Sequence, residues 1–252
     1  MKISDYLSDR YKISKRLAKK YIHSGKVYTN NNQIKRNSIL EPETNNPILK
    51  IQKIGNDRIN DKYLLKKTDD VVFLFKPSFI HSVRHRLEDS LTMQDIIDKI
   101  FPNYHLISRL DFETEGLIAA VNNNMATINT SKKYCAVVNG CFNKRLLLYN
   151  KIDASHKKKV KVLKSKGKYC TEIKSIKTNN NYSLVDITLE KATRHQIRSY
   201  LAYYGFPILG DKLYGNKSTE SKLMLHCYYT KINNEECYTN GINEFLNIFK
   251  KL

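Results

Sequence analysis

The sequence lacks several features that mark common classes of protein. Its 252 residues include no tryptophan and few acids, 24 against 44 lysines and arginines. No apolar run approaches the roughly 20 residues that cross a bilayer, so we expect no membrane association. The amino terminus has an early acid, Asp5, and no apolar signal core, so we expect neither secretion nor organelle import.

The cysteines are too few and too scattered to form a familiar framework. Five are present, an odd number, and no two are spaced as C-x-x-C. Both facts argue against a zinc site and against a set of disulfides. A reducing cytoplasm is therefore the simplest expected location. The five are Cys135, Cys141, Cys170, Cys227 and Cys237.

The net charge of +20 points to a polyanionic partner, and nucleic acid is the leading candidate. The competing explanation is coding bias, because a chain rich in lysine, asparagine and isoleucine is what an AT-rich genome produces. The basic residues cluster where the sequence motifs lie, which favours nucleic acid. A hydrophobic fraction of 41% allows a substantial core, in one large domain or two smaller ones.

Residues 1–54 are predicted to form a small basic α+β domain. Ile3, Leu7 and Tyr11 recur at helical spacing, and Ser14 is a suitable N-cap for a second helix. Gly25 would end that helix, because glycine accepts the left-handed conformation common at helix ends. The other expected elements are the second helix over 15–24 and strands over 26–29, 33–35 and 47–51.

The stretch from 13 to 38 resembles the small RNA-binding domain named after ribosomal small-subunit protein four. The usual form of that domain is S-R-x-x-A-x-x-x-I followed by G-x-V-x-V-N-G. The resemblance implies that the basic helix face contacts RNA, whereas the alternative is a merely solvated surface. The matching residues are Ser14, Arg16, Ala18, Ile22, Gly25, Val27 and Asn31, and the expected RNA contacts are Arg16, Lys19 and Lys20.

Residues 55–62 are polar and lack periodicity, so they are predicted to be a linker to a second domain over 63–252. The strongly basic stretch 151–168 is either a phosphate-contacting loop or a solvated hairpin, and the sequence does not decide between them. The other expected elements are strands over 71–75, 133–140 and 183–190 and helices over 91–101 and 124–132.

The segment 107–121 is predicted to be a strand, a polar loop and a second strand. The loop places Asp111 two residues after Arg109 and closes at Gly116. A carboxylate on a loop between rigid strands is a common position for a catalytic group. A lone aspartate in such a loop is more often an ordinary turn residue than a catalytic one, so other parts of the chain must distinguish the two.

The segment 192–207 is predicted to be a helix that begins with a capping box, Thr193 with Gln196. His195 and Arg198 would lie at its entrance. Because a cation near a helix N-terminus is unfavourable to the helix dipole, Arg198 should have an acidic partner, and Asp111 is a candidate. The expected buried stripe is Ile197, Tyr200, Leu201 and Tyr204.

These features, in this order, resemble the RluA-type pseudouridine synthases. That family shows H-R-L-D-x-x-T-S-G-L, then K-x-Y-x-A-x-V-x-G, then G-R-T-H-Q-I-R-x-H-L and G-x-P-I-L-G-D-x-x-Y-G. This chain has R-L-D at 109–111, Tyr134 in the second motif, H-Q-I-R at 195–198 and G-D-K-L-Y-G at 210–215. Upstream, Lys76 matches the lysine of a K-P-x-G-x-H segment.

The resemblance implies an α+β synthase fold with a mixed, mostly antiparallel central sheet and flanking helices, and isomerisation of uridine in RNA without metal or cofactor. Asp111 would be the catalytic carboxylate, Arg198 its cationic partner and Tyr134 the ring that stacks on the target base. The uridine must flip out to reach them. The expected RNA contacts are Arg109, His195, Gln196 and Lys76. For Arg109, the alternative is a structural salt bridge.

Three departures from the family pattern surround the Asp111 loop. Ser108 stands where the family has histidine, Glu115 where it has serine, and Phe79 where it has glycine. Glu115 adds negative charge, which we expect to disfavour an ionised Asp111 or to repel phosphate. These departures leave a second hypothesis open, a non-catalytic RNA-binding or ribosome-assembly factor that retains the fold.

The partner predicted from the resemblance is RNA. Ribosomal RNA of the large subunit is the first expectation, because family members with such an amino-terminal domain often act on it, and transfer RNA is the second. We expect a monomer.

Overall fold

The computed structural model describes residues 1–11, 13–29, 32–40, 47–49, 61–85, 91–155, 158–215 and 222–252. The helices are α1 Ile3–Arg10, α2 Lys15–His23, α3 Met93–Ile100, α4 Gln196–Tyr203 and α5 Gly241–Phe249. The strands are β1 Val27–Thr29, β2 Asn32–Ile34, β3 Ile48–Leu49, β4 Leu64–Lys67, β5 Val71–Lys76, β6 Tyr104–Leu106, β7 Glu115–Asn122, β8 Thr130–Asn139, β9 Arg145–Asp153, β10 Lys161–Thr178, β11 Tyr182–Leu189, β12 Leu225–Ile232 and β13 Glu235–Tyr238.

The amino-terminal part has its own small core. Helices α1 and α2 pack their apolar faces together, and β1 pairs antiparallel with both β2 and β3. The predicted N-cap is confirmed, because Ser14 Oγ accepts a hydrogen bond from the Leu17 amide at 3.2 Å. Gly25 follows α2 with φ +70°, as expected. Residues 55–60, which are most of the linker predicted over 55–62, lie outside the described residues, and so do residues 30–31.

A long, mostly antiparallel sheet forms the frame of the second part. Its order is β4-β5-β7-β12-β8-β11-β10-β9, with β6 added beside β7 and β13 beside β12. Strands β7 and β12 run parallel, and the other neighbouring pairs run antiparallel. The predicted fold class is therefore confirmed. Both β7 and β8 lie in the middle of this sheet, so the residues at their ends are held rigidly.

Alternate residues of the sheet are buried on opposite faces, as the pleat requires. On β5, Val72 and Leu74 pack towards α3 together with Ile118 of β7. Their neighbours Val71 and Phe73 belong to the larger core on the other face, which also contains residues of α4 and α5. This two-sided burial explains the continuous apolar runs of β5 and β7.

In the second half, one predicted helix is wrong, and the structure matches one of the two alternatives left open for the basic stretch. The helix predicted over 124–132 is wrong, because residues 124–129 form an irregular loop and β8 begins at Thr130. The Asn122 carboxamide oxygen accepts the Asn124 amide at 3.0 Å, and such local bonds compete with a helix. Residues 151–153 and 161–168 of the basic stretch lie on the paired strands β9 and β10, which matches the hairpin alternative. Residues 156–157 are outside the described ranges.

Candidate active site

An open cleft of about 1430 Å³ lies beside the Asp111 loop, β8 and the entrance of α4. It gathers residues that are far apart in the sequence. The predicted site residues that line it are Arg109, Asp111, Tyr134, His195, Gln196 and Arg198. The sheet fixes the loop and Tyr134, and the packing of α4 against the same core brings the last three to them.

Hydrogen bonds to the backbone of the loop hold it on both sides of Asp111. Ser82 Oγ donates to the Leu110 carbonyl at 2.8 Å and accepts the Leu110 amide at 3.0 Å. On the other side, the Phe79 amide donates to the Phe112 carbonyl at 2.7 Å. The Asp111 carbonyl itself accepts from a residue three further on, at 3.1 Å. The carboxylate is therefore presented from a fixed backbone, as a catalytic group requires.

Lys76 is a structural residue of this loop. Its side chain is fully buried, and Nζ donates to the carbonyls of Pro77 and Ile80, both at 2.8 Å, and of Phe112 at 3.4 Å. Burial lowers the pKa of the Lys76 amine to about 8. All three donors of the ammonium group are used within the protein. The predicted RNA contact at Lys76 does not agree with this burial.

Arg198 is buried and stands among three carboxylates. It holds Asp211 with two parallel bonds, from Nε and Nη2, each 2.8 Å long. Its Nη1 lies 3.4 Å from Asp111 Oδ2, and its Nη2 lies 3.0 Å from Glu113 Oε2. The predicted contact with Asp111 is present, but Asp211 is the closer partner. The guanidinium is thereby oriented, and its remaining nitrogen points at Asp111.

Electrostatics keep this buried ion cluster charged. Burial acts to lower the pKa of the Arg198 guanidinium. The hydrogen bonds and the negative charge of Asp211 outweigh burial, so the pKa is raised above its usual value. For Asp211, burial acts to raise the pKa, and the bonds from Arg198 overcome that effect and lower it. The amides of Leu213 and Tyr214 add two further bonds to Asp211 Oδ1, at 2.9 and 3.0 Å.

His195 also faces Asp111. Its Nε2 lies 3.8 Å from Asp111 Oδ1, and its Nδ1 lies 3.1 Å from the Tyr214 hydroxyl. Burial lowers the pKa of the imidazole, which favours the neutral ring. The Tyr214 hydroxyl accepts the Val160 amide at 2.8 Å, so its own proton is free to be donated to Nδ1. The proton of a neutral His195 would then be on Nε2, towards Asp111.

The helix entrance differs from the predicted capping box. Helix α4 begins at Gln196, and His195 takes the N-cap position in a left-handed conformation with φ 55°. Gln196 Oε1 accepts the Thr193 amide at 2.8 Å, which is half of the box, while its Nε2 donates to Thr171 Oγ1 at 2.7 Å. Because both ends of this buried amide bind protein groups, Gln196 positions the entrance, and the RNA contact predicted for it does not agree with these bonds.

Tyr134 forms part of the cleft wall from the middle of β8. Its side chain is 4% exposed. Burial raises the pKa of the Tyr134 phenol well above its usual value. Tyr134 therefore stays neutral and offers the cleft a fixed ring, which suits stacking better than proton transfer.

Glu115 is paired within the protein. Its carboxylate binds Lys222 Nζ at 2.7 Å, lies 3.4 Å from His226 Nδ1 and accepts from Ser78 Oγ at 3.3 Å. Burial opposes ionisation, but the bonds from His226 and Lys222 outweigh it and lower the pKa of Glu115 to about 2. The effects that we predicted for the Glu115 charge on Asp111 and on phosphate are therefore weakened by its partners within the protein.

The other predicted RNA contacts are exposed side chains. Arg109 lies on the cleft rim, and in the described part of the chain no acid forms an ion pair with it. The structural salt bridge considered for Arg109 is therefore not formed there. The basic face of α2 is also exposed, and its predicted contacts are Arg16, Lys19 and Lys20.

Neither a membrane-spanning helix nor a metal-binding cluster is present among the described residues. None of the helices there is long and apolar enough to cross a membrane. Among the same residues, no three histidine, cysteine or acidic side chains are grouped so that they could hold a metal ion.

A family model described as RNA pseudouridylate synthase matches residues 70–203, which is more than half of the chain. The chain belongs to this family. The matched range includes the Asp111 loop, Tyr134 and the start of α4. The predicted RluA-type resemblance is confirmed to this extent, and no comparison tests the resemblance of the amino-terminal domain.

Similar synthases differ in how much of their length this chain spans. Ribosomal large subunit pseudouridine synthase D of Borreliella burgdorferi is 31% identical over 171 residues, covering 61% of this chain and 51% of that protein. The chain thus spans about half of that relative. An uncharacterized RNA pseudouridine synthase of Helicobacter pylori strain J99 is 28% identical over 235 residues, covering 88% of this chain and 89% of the relative.

Solved synthase structures share the fold. Human RNA Pseudouridylate Synthase Domain Containing 1 superimposes with a TM-score of 0.57 at 18% identity, covering 74% of this chain and 85% of that one. Domain Containing 4 gives 0.53, also at 18% identity. At these identities the likeness supports the architecture alone.

Several residues of this synthase site escaped sequence reasoning. Asp211 and Tyr214 belong to the G-D-K-L-Y-G segment, so that motif held a signal for the second partner of Arg198. Glu113 and Ser82 carried no such signal. Their roles depend on contacts with residues from other parts of the chain.

Proposed function

We propose that this chain converts uridines of large-subunit ribosomal RNA to pseudouridine and that Asp111 is its catalytic carboxylate. The observation that carries the proposal is the contact of Asp111 with a buried guanidinium. Arg198, oriented by Asp211, reaches Asp111 at 3.4 Å inside a cleft. The ribosomal target is supported by the name of the Borreliella burgdorferi relative.

The isomerisation requires an ionised acid beside the sugar. The bond from C1′ to N1 of the uracil breaks, the base turns, and a bond from C1′ to C5 forms. C5 loses its proton and N1 gains one, so atoms balance without a co-reactant. Asp111 would either attack the sugar or remove a sugar proton, and both roles need the carboxylate. Arg198 Nη1 lies 3.4 Å from that carboxylate and would help to hold it in place.

The rest of the cleft fits a flipped nucleotide. Tyr134 offers a buried neutral ring for the uracil, and His195 can present an N–H near the same carboxylate. Arg109 is exposed at the rim, where it can contact the RNA from which the base has left. Because the Asp111 carboxylate is inside a cleft, the uridine must leave its stack to reach that carboxylate.

We also propose that residues 1–54 form an RNA-binding domain of the type named after ribosomal small-subunit protein four. Its exposed basic helix, with Arg16, Lys19 and Lys20, is suited to the RNA backbone. The proposed setting is the cytoplasm, and the proposed state is a monomer. Transfer RNA is the alternative substrate.

The deciding experiment compares strains carrying the wild-type chain, Asp111→Asn or the control Asp70→Asn. Asp70 is an exposed acid in the turn before β5, outside the cleft. Pseudouridine is mapped across cellular RNA by carbodiimide labelling. We expect at least one site to lose its modification in Asp111→Asn and to keep it in Asp70→Asn. If every site survives in Asp111→Asn, the non-catalytic RNA-binding hypothesis replaces this one.

A further inference from the structure

Phe79 has a backbone conformation that its side chain disfavours. Its φ is 65°, in the left-handed region, where glycine is comfortable and a bulky residue is an outlier. The turn that contains it is fixed from both sides, by Ser78 bound to Glu115 and by the bond from the Phe79 amide to Phe112. The chain therefore holds a phenyl ring at a position where glycine would fit with less strain.

The ring of Phe79 is not used to fill a core. It is 53% exposed, and it meets the ring of Phe112, which is 41% exposed, edge to face with centroids 5.7 Å apart. Phe112 in turn stacks on His81 at 4.4 Å with an interplanar angle of 30°. We call Phe79, His81 and Phe112 the aromatic platform.

The platform is continuous with the cleft. His81 and Phe112 line the cleft, and Phe112 directly follows Asp111 in the chain. Arg109, exposed on the same loop, lines the same cleft and adds a cation to it. Strained backbone and exposed apolar rings both oppose folding stability, and such features concentrate at binding sites.

We propose that the aromatic platform stacks on an unpaired RNA base next to the target uridine. Aromatic side chains beside a basic groove bind successive bases of a single strand, because every base has a π-face. When the uridine flips out, its neighbour loses a stacking partner and presents that face. Phe79 is then a substrate-binding residue. The position of the base relative to the target rests on the proposed function.

The test measures affinity without turnover. A fluorescein-labelled RNA hairpin with a loop of uridines is titrated with the full chain carrying Asp111→Asn, and anisotropy is recorded. Phe79→Leu keeps an apolar side chain and the strain of the left-handed backbone but removes the aromatic ring. We expect it to weaken binding between about fivefold and a hundredfold, the effect of losing one stacked base. Phe79→Tyr keeps the ring and should bind like the parent.

Two further variants separate stacking from folding. Phe79→Gly relieves the backbone strain, so it should melt at or above the parent temperature while losing affinity as Phe79→Leu does. Tyr238→Leu removes a ring that is 75% exposed on β13, outside the cleft, and should leave affinity unchanged.

Three results would each overturn the proposal. These are full affinity in Phe79→Leu and Phe79→Gly, an equal loss in Phe79→Tyr, and an equal loss in Tyr238→Leu. Because the assay needs no chemistry, its failure is distinct from a failure of the proposed isomerisation, which the Asp111→Asn map tests by itself.

Discussion

Glu115→Gln tests how the Asp111 loop is braced. The Glu115 carboxylate is bound by Lys222 at 2.7 Å, and it accepts from Ser78 at 3.3 Å. Ser78 precedes Phe79, whose amide holds the Phe112 carbonyl next to Asp111. Glutamine keeps the shape of the side chain and removes its charge, so any change reports the ionic part of this brace.

The pKa of Glu115 gives the expected magnitude. It is lowered from 4.5 to about 2, because the bonds from His226 and Lys222 outweigh the opposing effect of burial. At ~1.36 kcal/mol per pKa unit this difference corresponds to about 3 kcal/mol. The Lys222 side chain is 43% exposed, so solvent screens its interaction with Glu115. We therefore expect Glu115→Gln to lower the free energy of unfolding by about 2 kcal/mol.

The sign of the pH dependence follows from the lowered pKa. The folded state holds the proton of Glu115 less tightly than the unfolded chain does. The stabilisation is therefore complete above about pH 4.5, and it is lost as the pH falls from there towards about 2. In that range the Glu115 carboxylate binds a proton in the unfolded chain but stays ionised in the folded chain.

The assay is urea unfolding of the wild-type chain and Glu115→Gln near pH 7 and near pH 3. The variant should be less stable by about 2 kcal/mol near neutrality, and most of that gap should close at the acid value. Glu244→Gln, at an exposed acid on α5, is the control and should show little change. A gap of equal size at both pH values would refute the pairing as its source.

Three further changes have defined outcomes. Ser82→Ala leaves the buried Leu110 amide and carbonyl unpaired, so urea unfolding should show a loss of about 2 kcal/mol, and an unchanged midpoint would contradict this. Asp211→Asn removes the closest partner of buried Arg198. It should cost about 3 kcal/mol and abolish pseudouridine formation, and retained modification would argue against this orientation of the guanidinium. Neutralising the basic face of α2 should flatten the salt dependence of RNA binding by about two units of slope, measured by titration at several salt concentrations, and an unchanged slope would exclude an RNA contact there. The neutralised residues are Arg16, Lys19 and Lys20.

Several features of this protein were predictable from sequence because they depend only on residues that are close together in the chain. Ser14 was identifiable as an N-cap because its hydroxyl needs only the amide of Leu17, three residues away. Alternating apolar residues predicted β11, since the pleat of a strand has a period of two. The R-L-D segment and H-Q-I-R segment indicated the family, because each keeps its chemical residues at short fixed spacing.

Predictions from sequence were wrong where both nearby and distant residues could serve as hydrogen-bond partners of a side chain. The asparagine-rich segment after β7 was predicted to be helical, yet the Asn122 carboxamide makes a local turn there. Lys76 was predicted to contact RNA because it is a cation in a motif. Whether a lysine is exposed depends on what the fold places over it, and here three carbonyls surround it.

The sequence alone determined which groups this site contains, an acid, a tyrosine and an arginine, and to which family they belong. Only the tertiary structure decided how they are held. Arg198 and Asp111 are 87 residues apart in the chain, and their contact exists because α4 packs on the sheet that fixes the loop. The bond to Asp211, the neutralising partners of Glu115 and the strained Phe79 arise from the same long-range packing, which local residue patterns do not encode.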